Sequence, residues 1–474
     1  MKKNIKTLFV IPVFLLLSFT YLNAQYGSFG TTDAQNIGMG NTFSSAFGTL
    51  AIGKNPAFIA YPKDTTSIIT FQIPNFSVKA LEPSLTLDDF NNYFNYPTSR
   101  DLSDNEKQDM YNAFDGDPSL YMNIGSKLFA ISWMHSKELG AFAFSTTDYA
   151  AGSLKIPLTL IDLVLNGNAQ NTSYSFDNMD LSFWWIRMHT LSYAREIMEF
   201  EEGSLIRNLT GGISLKMVSG FAYAGLEEID ASIATGENNT LKGKVHYLAR
   251  TAFSRDMGVE YEFDPITPDE NYGYGMESAG SGFGVDLGFA ADLDHGLRIG
   301  LAITDIGSIT WDKGTAEYKA DGDIEINDLF DKDQREELET FLDDSSYAIG
   351  SFSTSLPTAL RLSIAYDLTS MVEAIPGELI LGLGYHQGFN KMPGNSATPR
   401  IALGAKWKTL PYIPIISTGF TNGRAGNLRW TFGLGYSSSV IDIAFATQDL
   451  ISLLSSSGSP YVSAALNFIW KIQY

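Results

Sequence analysis

The sequence predicts an all-β protein, a transmembrane antiparallel β-barrel, on three observations. The first is an amino-terminal segment typical of export signals. The second is a period-two alternation of apolar and small or polar residues along most of the chain. The third is a regular sorting of short and long connections between the alternating segments. The composition agrees, because 44% hydrophobic and 13% aromatic side chains are too many for a disordered chain.

Residues 1–24 are predicted to be a signal peptide. Three lysines within the first six residues precede an apolar run over residues 8–19, and Ala24 supplies the small residue before a cleavage ahead of Gln25. The run is too short to cross a bilayer as a helix. No later stretch reaches 18 consecutive apolar residues. The exported chain is therefore expected to be either soluble outside the cytoplasm or a barrel, and the alternation favours a barrel in a Gram-negative type of outer membrane.

Charge and cysteine content exclude several classes of function. Removal of the signal peptide would lower the net charge from −21 to −24, and a field of that sign repels nucleic acid. The chain has no cysteine, which excludes disulfide scaffolds, thiol catalysis and cysteine-bound zinc. We expect the negative charge to lie mainly in the loops on the outer side of the barrel.

The alternation is clearest in two parts of the chain. Over residues 283–292 the odd positions are mostly apolar and the even ones are Gly, Ala or Asp, and residues 297–304 repeat the pattern after a tight turn at 294–296. The last strand ends on the terminal aromatic residue, with one apolar face that includes Phe468, Trp470, Ile472 and Tyr474. We interpret these four residues as the carboxyl-terminal signal for the barrel-assembly machinery.

Loop lengths favour a barrel over a soluble sandwich. Counting back from a last strand that ends on the inner side, the connections assigned to that side are short: 437–438, 408–411, 368–375, 293–296, 236–239 and 136–137. Most of those assigned to the outer side are long and acidic: 448–460, 388–397, 320–357, 254–281, 148–180 and 75–126, with brief links near 421–426 and 218–222. Outer-membrane barrels sort their loops in this way, whereas a sandwich has no reason to. The count gives sixteen candidate strands.

Three of the long outer segments carry helical patterns. They are residues 85–114, 156–165 and 326–342. The favoured interpretation is a set of solvated surface helices over the barrel mouth. The alternative is an apolar surface that captures a hydrophobic ligand.

Residues 25–62 are neither alternating nor helical. They contain Gly38, Met39, Gly40 and Asn41, followed later by Asn55, Pro56 and Ala57. Glycine and proline at this density specify a fixed irregular path, which is tolerated at membrane depth only when it is buried in protein. We therefore predict that this segment lies in the barrel lumen as a hatch.

Both short motifs resemble the amino-terminal signature of FadL-type transporters of hydrophobic compounds and of their PorV-like relatives. The phrases at 286–307 and 356–362 resemble a hairpin and a following strand of the same group. The resemblance implies fourteen strands around a lumenal hatch, two fewer than the direct count. It divides the chain into a signal peptide (1–24), a hatch (25–62) and a barrel (63–474).

The resemblance implies two different functions, of which passive transport of a hydrophobic small molecule is the favoured one and a scaffold the alternative. In the transporters, a hydrophobic small molecule passes the hatch passively, whereas PorV-like members act as scaffolds for protein secretion or surface attachment. The partners to expect are outer-membrane lipid, the barrel-assembly machinery, and either a hydrophobic small molecule or secreted proteins.

Catalytic and metal motifs were sought without a convincing match. The five histidines are scattered, and no zinc-protease, serine-hydrolase or Walker sequence occurs. Asp294 and His295 form an acid and histidine pair that turn chemistry explains. Residues 321–325 begin like a calcium loop, but Ile326 stands where glycine is required. We expect a protein that is not an enzyme and has no catalytic residue, no metal site and no cofactor; a loose cation site in the acidic loops is the alternative to a solvated charge cluster.

Overall fold

The computed structural model describes most of the chain from residue 32 onward. The described ranges are 32–60, 68–94, 102–136, 138–167, 169, 171–201, 203–236, 241–259, 261, 275–326, 346–372, 374–409, 413–422 and 428–473. The predicted signal peptide and Tyr474 lie outside these ranges.

Twenty β-segments make up the described sheet. They are β1 Ile68–Gln72, β2 Asn75–Leu81, β3 Ser119–Ser136, β4 Gly140–Lys155, β5 Ser173–Ser175, β6 Asp180–Glu199, β7 Ile206–Thr235, β8 Leu241–Phe253, β9 Gly280–Leu293, β10 Leu297–Trp311, β11 Thr315–Ile326, β12 Ser346–Ala348, β13 Phe352–Ser355, β14 Ala359–Asp367, β15 Glu378–Gly388, β16 Arg400–Lys408, β17 Ile415–Asn422, β18 Leu428–Ser437, β19 Ile441–Thr447 and β20 Tyr461–Gln473.

These segments form fourteen antiparallel strands, because several are pieces of one path. β1 continues as β2, β5 as β6, β8 as β9, β10 as β11, and β12 and β13 as β14. The barrel closes where β20 pairs with both β1 and β2, which pair on their other side with β3. The predicted barrel class is confirmed, and the count is the fourteen that the family resemblance implied, not sixteen.

The excess in the direct count came partly from β7. The glycine-containing stretch 218–222 was predicted to link two strands, but it lies inside one continuous strand of 30 residues. Gly220 serves packing rather than a turn, since a Cβ there would lie 2.3 Å from the ring of Trp311. The connection at 236–239 was assigned to the inner side, but the strand ends that flank it, Thr235 and Leu241, pair with each other at the opposite end of the barrel.

The remaining connections sort by length as predicted. Short connections lie at the end where β20 finishes, which we call the short-turn end, and the longer segments lie at the other, which we call the long-loop end. The turn at 294–296 belongs to the short-turn end.

Alternation places large apolar side chains on the outside of the barrel. Along β9 and β10, Phe283, Leu287, Phe289 and Leu301 are exposed, whereas the intervening Asp286 is fully buried. The same outward belt continues around the barrel to β20, where Val462, Leu466, Trp470 and Ile472 are exposed. A belt of this kind suits the hydrocarbon of a bilayer. The chain is therefore a membrane-spanning barrel whose polar and small residues face the lumen.

A β-bulge in β10 changes which residues face the lumen. The register with β9 shifts between Ile303 and Ile306, and Asp305 adopts a left-handed φ of 59°. Before the bulge Ala302 and Thr304 are buried, and after it Ile309 and Trp311 are buried. The extra residue thus exchanges the two faces of the strand, as bulges do.

Strands β7, β8 and β11 extend past the ladder of β9 toward the long-loop end. Above Gly220, β7 exchanges its partner β9 for β8, and β8 pairs with β11. An apolar core that includes Trp184, Ile186, Tyr223 and Trp311 lies at the base of this region. The projecting sheet therefore begins where β4, β6, β7 and β10 share a core.

The helices are short and lie mostly at the long-loop end. They are α1 Ala34–Gly38, α2 Leu87–Phe94, α3 Asp104–Ala113, α4 Leu158–Asn166 and α5 Ile451–Leu454. Three of these, α2, α3 and α4, fall in the two described segments that were predicted to be helical, and Ser103 caps α3 through a capping box with Glu106. The third predicted segment, 326–342, lies almost wholly outside the described residues. In the described ranges, no helix is both long and apolar enough to cross a membrane.

We predict that a charge in the middle of the outward belt destabilises the barrel. Leu301→Arg places a guanidinium against hydrocarbon and should lower the free energy of unfolding in lipid by about 2–4 kcal/mol. Leu428→Arg, at the long-loop end of β18, is the matched control and should cost at most about 1 kcal/mol. Urea unfolding in lipid vesicles measures both. Equal losses in the two variants would show that Leu301 does not face hydrocarbon.

Candidate functional site: the lumenal hatch

Residues 32–60, the described part of the segment predicted to be a hatch, lie inside the barrel. We use the name hatch for these residues. They comprise α1 and two 3-10 turns, Gly48–Leu50 and Pro56–Ile59, and most of their side chains are buried. The predicted lumenal position is thus confirmed for the described part of this segment. α1 packs on β17 to β20, and the turn at 56–59 packs on the opposite wall, formed by β4, β6, β7, β9 and β10.

The first motif brings the hatch backbone against the wall. Gly40 and Asn41 both have left-handed φ values, 69° and 66°. The Gly40 amide donates to Thr431 Oγ1 at 3.0 Å, and that hydroxyl donates to the Gly38 carbonyl at 2.9 Å. Met39 is buried, and its carbonyl lies where a side chain on Gly404 of β16 would stand. A single threonine thus satisfies two backbone groups of the motif.

Asn55 connects the second motif to the other wall. Its Oδ1 accepts from the Ala57 amide at 2.9 Å, which starts the 3-10 turn that contains Pro56. Its Nδ2 lies 3.0 Å from the Phe289 carbonyl and 3.3 Å from the Leu301 carbonyl, so it donates to two neighbouring wall strands. The side chain therefore caps the hatch turn and docks it.

Wall glycines make this close approach possible. A Cβ on Gly288 would lie 2.1 Å from Asn55 Oδ1, and one on Gly212 would lie 2.4 Å from the Ala57 amide. A Cβ on Gly300 would lie 2.4 Å from the Phe58 ring. Distances under 3.0 Å cannot be accommodated without movement, so a larger residue at these positions would displace the hatch.

A buried ion cluster ties both ends of the hatch to β1, β2 and β3. Asp33 pairs with Lys54 of the hatch and with Lys127 of β3, whose Nζ lies 3.2 Å from the carboxylate. Gln72 and Asn75 donate to the same carboxylate at 3.0 and 2.8 Å. All of these side chains are buried, so removal of one partner would leave an uncompensated charge.

Electrostatics in the cluster favour the ionised pair. Burial alone would raise the pKa of the Asp33 carboxyl, but the ammonium groups of Lys127 and Lys54 outweigh it and lower the pKa to about 2. Burial lowers the pKa of Lys54 to about 8, against the opposing attraction of Asp33. At neutral pH the carboxylate therefore carries its full charge.

A second cluster lies in the wall beside the hatch. Lys216 of β7 lies 2.7 Å from Asp286 and 2.5 Å from Asp305, the residue of the β10 bulge. The bulge is held in addition by the Asp305 amide, which donates to Asp286 at 2.7 Å. The cluster joins three neighbouring strands at the level where the wall changes its inward face.

The hatch separates two larger chambers. Cavities beside it are only about 30 and 10 Å³, room for little more than isolated water molecules. Toward the short-turn end lies a cavity of about 330 Å³, lined by Gln35, Phe47, Lys406 and Asp442 among others. Toward the long-loop end lies one of about 320 Å³, lined in part by Lys79, Asp180 and Asn395. Passage between them requires the hatch to move.

Basic side chains line the part of the wall that runs from β14 to β2, just above the hatch on its long-loop side. We call the set the basic collar; its members are Lys79, Arg361, His386, Arg400 and Arg429. The sequence analysis did not find it, since these residues are spread over five strands and each stands alone in its own segment. In the sequence, each of these strands has a basic residue at an inward-facing position close to its long-loop end. This was the pattern from which the set could have been predicted.

The other predicted site residues do not gather in the lumen. Phe468, Trp470 and Ile472 lie on β20, where Trp470 and Ile472 are exposed on the outer face and Phe468 packs on Trp470 with ring centres 4.3 Å apart. Tyr474 lies outside the described residues. The role of this face as an assembly signal stays a prediction.

The structure explains the weak chemical motifs as fold elements. His295 has a φ of 63° in the turn 294–296, and Asp294 pairs with Arg207. Residues 321–325, which begin like a calcium loop in the sequence, are part of β11, which pairs with β8. Within the described ranges, no group of three or more His, Asp or Glu side chains could hold a metal ion.

A closed antiparallel barrel with an amino-terminal hatch in its lumen is the layout of the FadL-type outer-membrane barrels, as the resemblance implied. The chain belongs to a family described as "Family of unknown function (DUF5723)", whose model matches residues 56–448. No curated protein sequence matches the chain.

Solved structures to which the chain is similar include two toluene transporters and a FadL homologue. The toluene transporter TbuX of Ralstonia pickettii is 12% identical, with 93% of this chain and 98% of that chain covered and a TM-score of 0.43. The toluene transporter TodX of P. putida is 9% identical, with 95% and 99% covered and a TM-score of 0.42. A FadL homologue of Pseudomonas aeruginosa is 12% identical, with 94% and 99% covered and a TM-score of 0.41.

We predict that a methyl group on Gly288 dislodges the hatch. In Gly288→Ala the new Cβ occupies the place of Asn55 Oδ1, so the docking hydrogen bonds to the wall are lost. Conductance across a planar bilayer should rise. A thiol introduced by Ala46→Cys in the buried hatch should become reactive to a water-soluble maleimide, with no background from this cysteine-free chain.

The matched control is Gly435→Ala on β18. Its Cβ would meet the first neighbouring atom at 3.3 Å, and that atom is a wall carbonyl rather than the hatch. Conductance and thiol labelling should stay at the parent level. An undisturbed hatch in Gly288→Ala would contradict the glycine-dependent docking.

Proposed function

We propose that the protein is a passive conduit for a hydrophobic small molecule in the outer membrane of a Gram-negative type of cell, and that the hatch is its gate. The observation that carries the proposal is the position of the hatch between two chambers of about 330 and 320 Å³. No step of this function calls for an enzyme activity. The barrel wall supplies a path through the membrane, and the hatch closes it at rest.

The contacts that hold the hatch suit a movable gate. They include individual hydrogen bonds in which Thr431 and Ser363 accept from hatch amides and Asn55 donates to the wall, each of which water can replace when the segment shifts. The wall also has no side chain at Gly212, Gly288 and Gly404, where the hatch contacts it. The ion cluster of Asp33, Lys54 and Lys127 marks where the hatch stays attached, since separating buried charges costs more than breaking neutral hydrogen bonds.

The mouth carries apolar side chains that suit a hydrophobic cargo. Phe90 and Phe94 of α2 are exposed and stack with ring centres 5.5 Å apart. Leu453 and Leu454 of α5 are exposed as well, and the segment after α5 is hydrogen-bonded to the start of α2 through the Leu87 amide. These residues form an apolar patch beside the entrance, where a hydrophobic molecule would first leave water.

A disulfide between hatch and wall tests the gate. The Oγ atoms of Ser44 and Ser363 lie 2.8 Å apart, so cysteines in their place bring two sulfur atoms close to bonding distance in a chain that has no other thiol. We expect the oxidised double variant Ser44→Cys/Ser363→Cys to lose uptake of radiolabelled naphthalene by cells, and a reductant to restore it.

A disulfide within the wall is the matched control. Ser192 of β6 and Ser214 of β7 are also buried, and their Oγ atoms lie 2.7 Å apart. Oxidised Ser192→Cys/Ser214→Cys ties two wall strands and leaves the hatch free, so uptake should persist. Uptake at the parent rate with the hatch locked would rule out a hatch gate.

A second candidate function, a scaffold for secreted or surface-attached proteins, is favoured by the projecting sheet. Its strands β7, β8 and β11 carry exposed charges, among them the pair Asp230 and Lys244 at 2.6 Å. A rigid polar sheet beyond the barrel offers a docking surface that a conduit does not need.

Affinity purification from intact membranes separates the two functions. A scaffold should retain a large protein partner, and the double variant Glu228→Lys/Asp230→Lys on the exposed sheet should release it. The hatch-locking disulfide should leave such a partner bound. Recovery of the barrel alone, together with hatch-dependent naphthalene uptake, would dismiss the scaffold.

A further inference from the structure

The connection from β15 to β16 folds into the lumen instead of rising above the rim of the barrel. We call residues 389–399 the inward loop. Gly388 shares the inward face of β15 with His386, and a Cβ on Gly388 would lie 2.5 Å from the Asn395 side chain of the loop. Asn395 and Ser396 are only 9% and 1% exposed, whereas connecting segments usually run over the protein surface. The loop therefore packs against the inner face of the wall.

A tight turn forms the tip of the inward loop. The Asn395 amide donates to the Met392 carbonyl at 2.8 Å, and Gly394 has a left-handed φ of 78°. Pro393 and Gly394 are the residues that a type II turn favours at its two central positions. Because proline fixes the first φ and glycine adopts the second without strain, the tip keeps one shape.

Hydrogen bonds anchor the inward loop to the connection between β13 and β14. Asn390 Nδ2 donates to the Leu356 carbonyl at 2.7 Å, and Asn395 Nδ2 donates to the Thr358 carbonyl at 3.2 Å. The Phe389 amide donates to the same Thr358 carbonyl at 2.8 Å. A buried loop is stable only when its polar groups find partners in this way, so the inward position is part of the fold.

The tip of the inward loop points toward the opposite wall. In the order of strand pairing, β3 and β4 lie half-way round the closed barrel from β15 and β16. The chamber of about 320 Å³ at the long-loop end lies between these two sides: Met392 lines it from the tip, and Asn123 of β3 and Ser153 of β4 line it from the wall. Met392 also packs against the apolar core that contains Trp184 of β6. The loop thus narrows the mouth, and the chamber is the space beside its tip.

The chamber lies directly above the hatch. Asn123 is two residues before Gly125 on the inward face of β3, and a Cβ on Gly125 would lie 2.4 Å from Thr32 of the hatch. Two residues along a strand span about 7 Å, so a solute beside Asn123 is one such step from the hatch. The inward loop therefore borders the last space that a solute occupies before it reaches the hatch along this wall.

We propose that the inward loop is a fixed constriction at the mouth, which selects solutes by their cross-section before they meet the hatch. A rigid tip on an anchored base suits a filter rather than a gate, because a gate has to move. A chamber of about 320 Å³ is near the lower limit for small-molecule sites, so slim molecules fit and wide ones do not. This role rests on the proposed function for what passes, whereas access to the chamber is measured without any transport.

Thiol labelling of the full-length barrel in a non-ionic detergent tests the proposal, because the chain has no cysteine of its own. Asn123→Cys places a thiol in the chamber, and Asp115→Cys places one on the exposed segment after α3. N-ethylmaleimide is the slim reagent and fluorescein maleimide the wide one. Both reagents should label Asp115→Cys, whereas only N-ethylmaleimide should label Asn123→Cys.

Variants of the inward loop should remove this difference. Deletion of residues 391–394, the tip, should let fluorescein maleimide label Asn123→Cys. Asn395→Ala is the milder variant and replaces the deletion if that chain does not fold. It removes two hydrogen bonds of the loop, so the population with a displaced loop, and the labelling rate with it, should rise about tenfold. Phe389→Ala, at a side chain that is 58% exposed, is the matched control and should label as the parent does.

Thermal melting in detergent confirms that each variant is folded. The proposal is overturned if fluorescein maleimide labels Asn123→Cys as fast as Asp115→Cys, or if neither loop variant raises its labelling. Failure of both reagents at Asn123→Cys would show a closed plug instead of a constriction and would overturn it as well. The naphthalene experiment locks the hatch and leaves the inward loop as it is, so each proposal can fail without the other.

Discussion

The close contact between the hatch backbone and the glycine-lined wall is the constraint on which the rest of the structure depends. A backbone without regular structure survives at membrane depth only where protein satisfies its polar groups. Thr431 and Asn55 satisfy polar groups of this backbone. They can do so because Gly212, Gly288 and Gly404 let the hatch and the wall approach within hydrogen-bonding distance. The strands therefore need these glycines because the hatch packs closely against them, and not for their own structure.

Local periodicity in the sequence was enough to predict the barrel and the place of the hatch. The alternation around Phe283 and the irregular stretch around Asn55 depend on neighbours a few residues away, which a single sequence displays. Gly220 led to a wrong strand count. The sequence does not distinguish a glycine that makes room for the Trp311 ring from a glycine that forms a turn. Arg361 and Arg400 could not be grouped in advance, since they are brought to one level only by the register of β14, β15 and β16.

Charge is distributed in the lumen according to what each level does. Where the hatch is anchored, Asp33 holds Lys54 and Lys127 in direct contact, and the ions act as a fixed crosslink. Where the wall bends at Asp305, Lys216 neutralises two carboxylates and stabilises the bulge.

The left-handed residue Asp305 exchanges the inward and outward faces of β10 at the bulge. On the short-turn side of Asp305, one face of the strand lies against the bilayer and the other against the hatch. On its long-loop side, Ile309 and Trp311 face inward and belong to a separate apolar core. Two regions with separate interiors can change at different rates. The projecting sheet can therefore diverge in sequence while the barrel beneath it keeps its fit around the hatch.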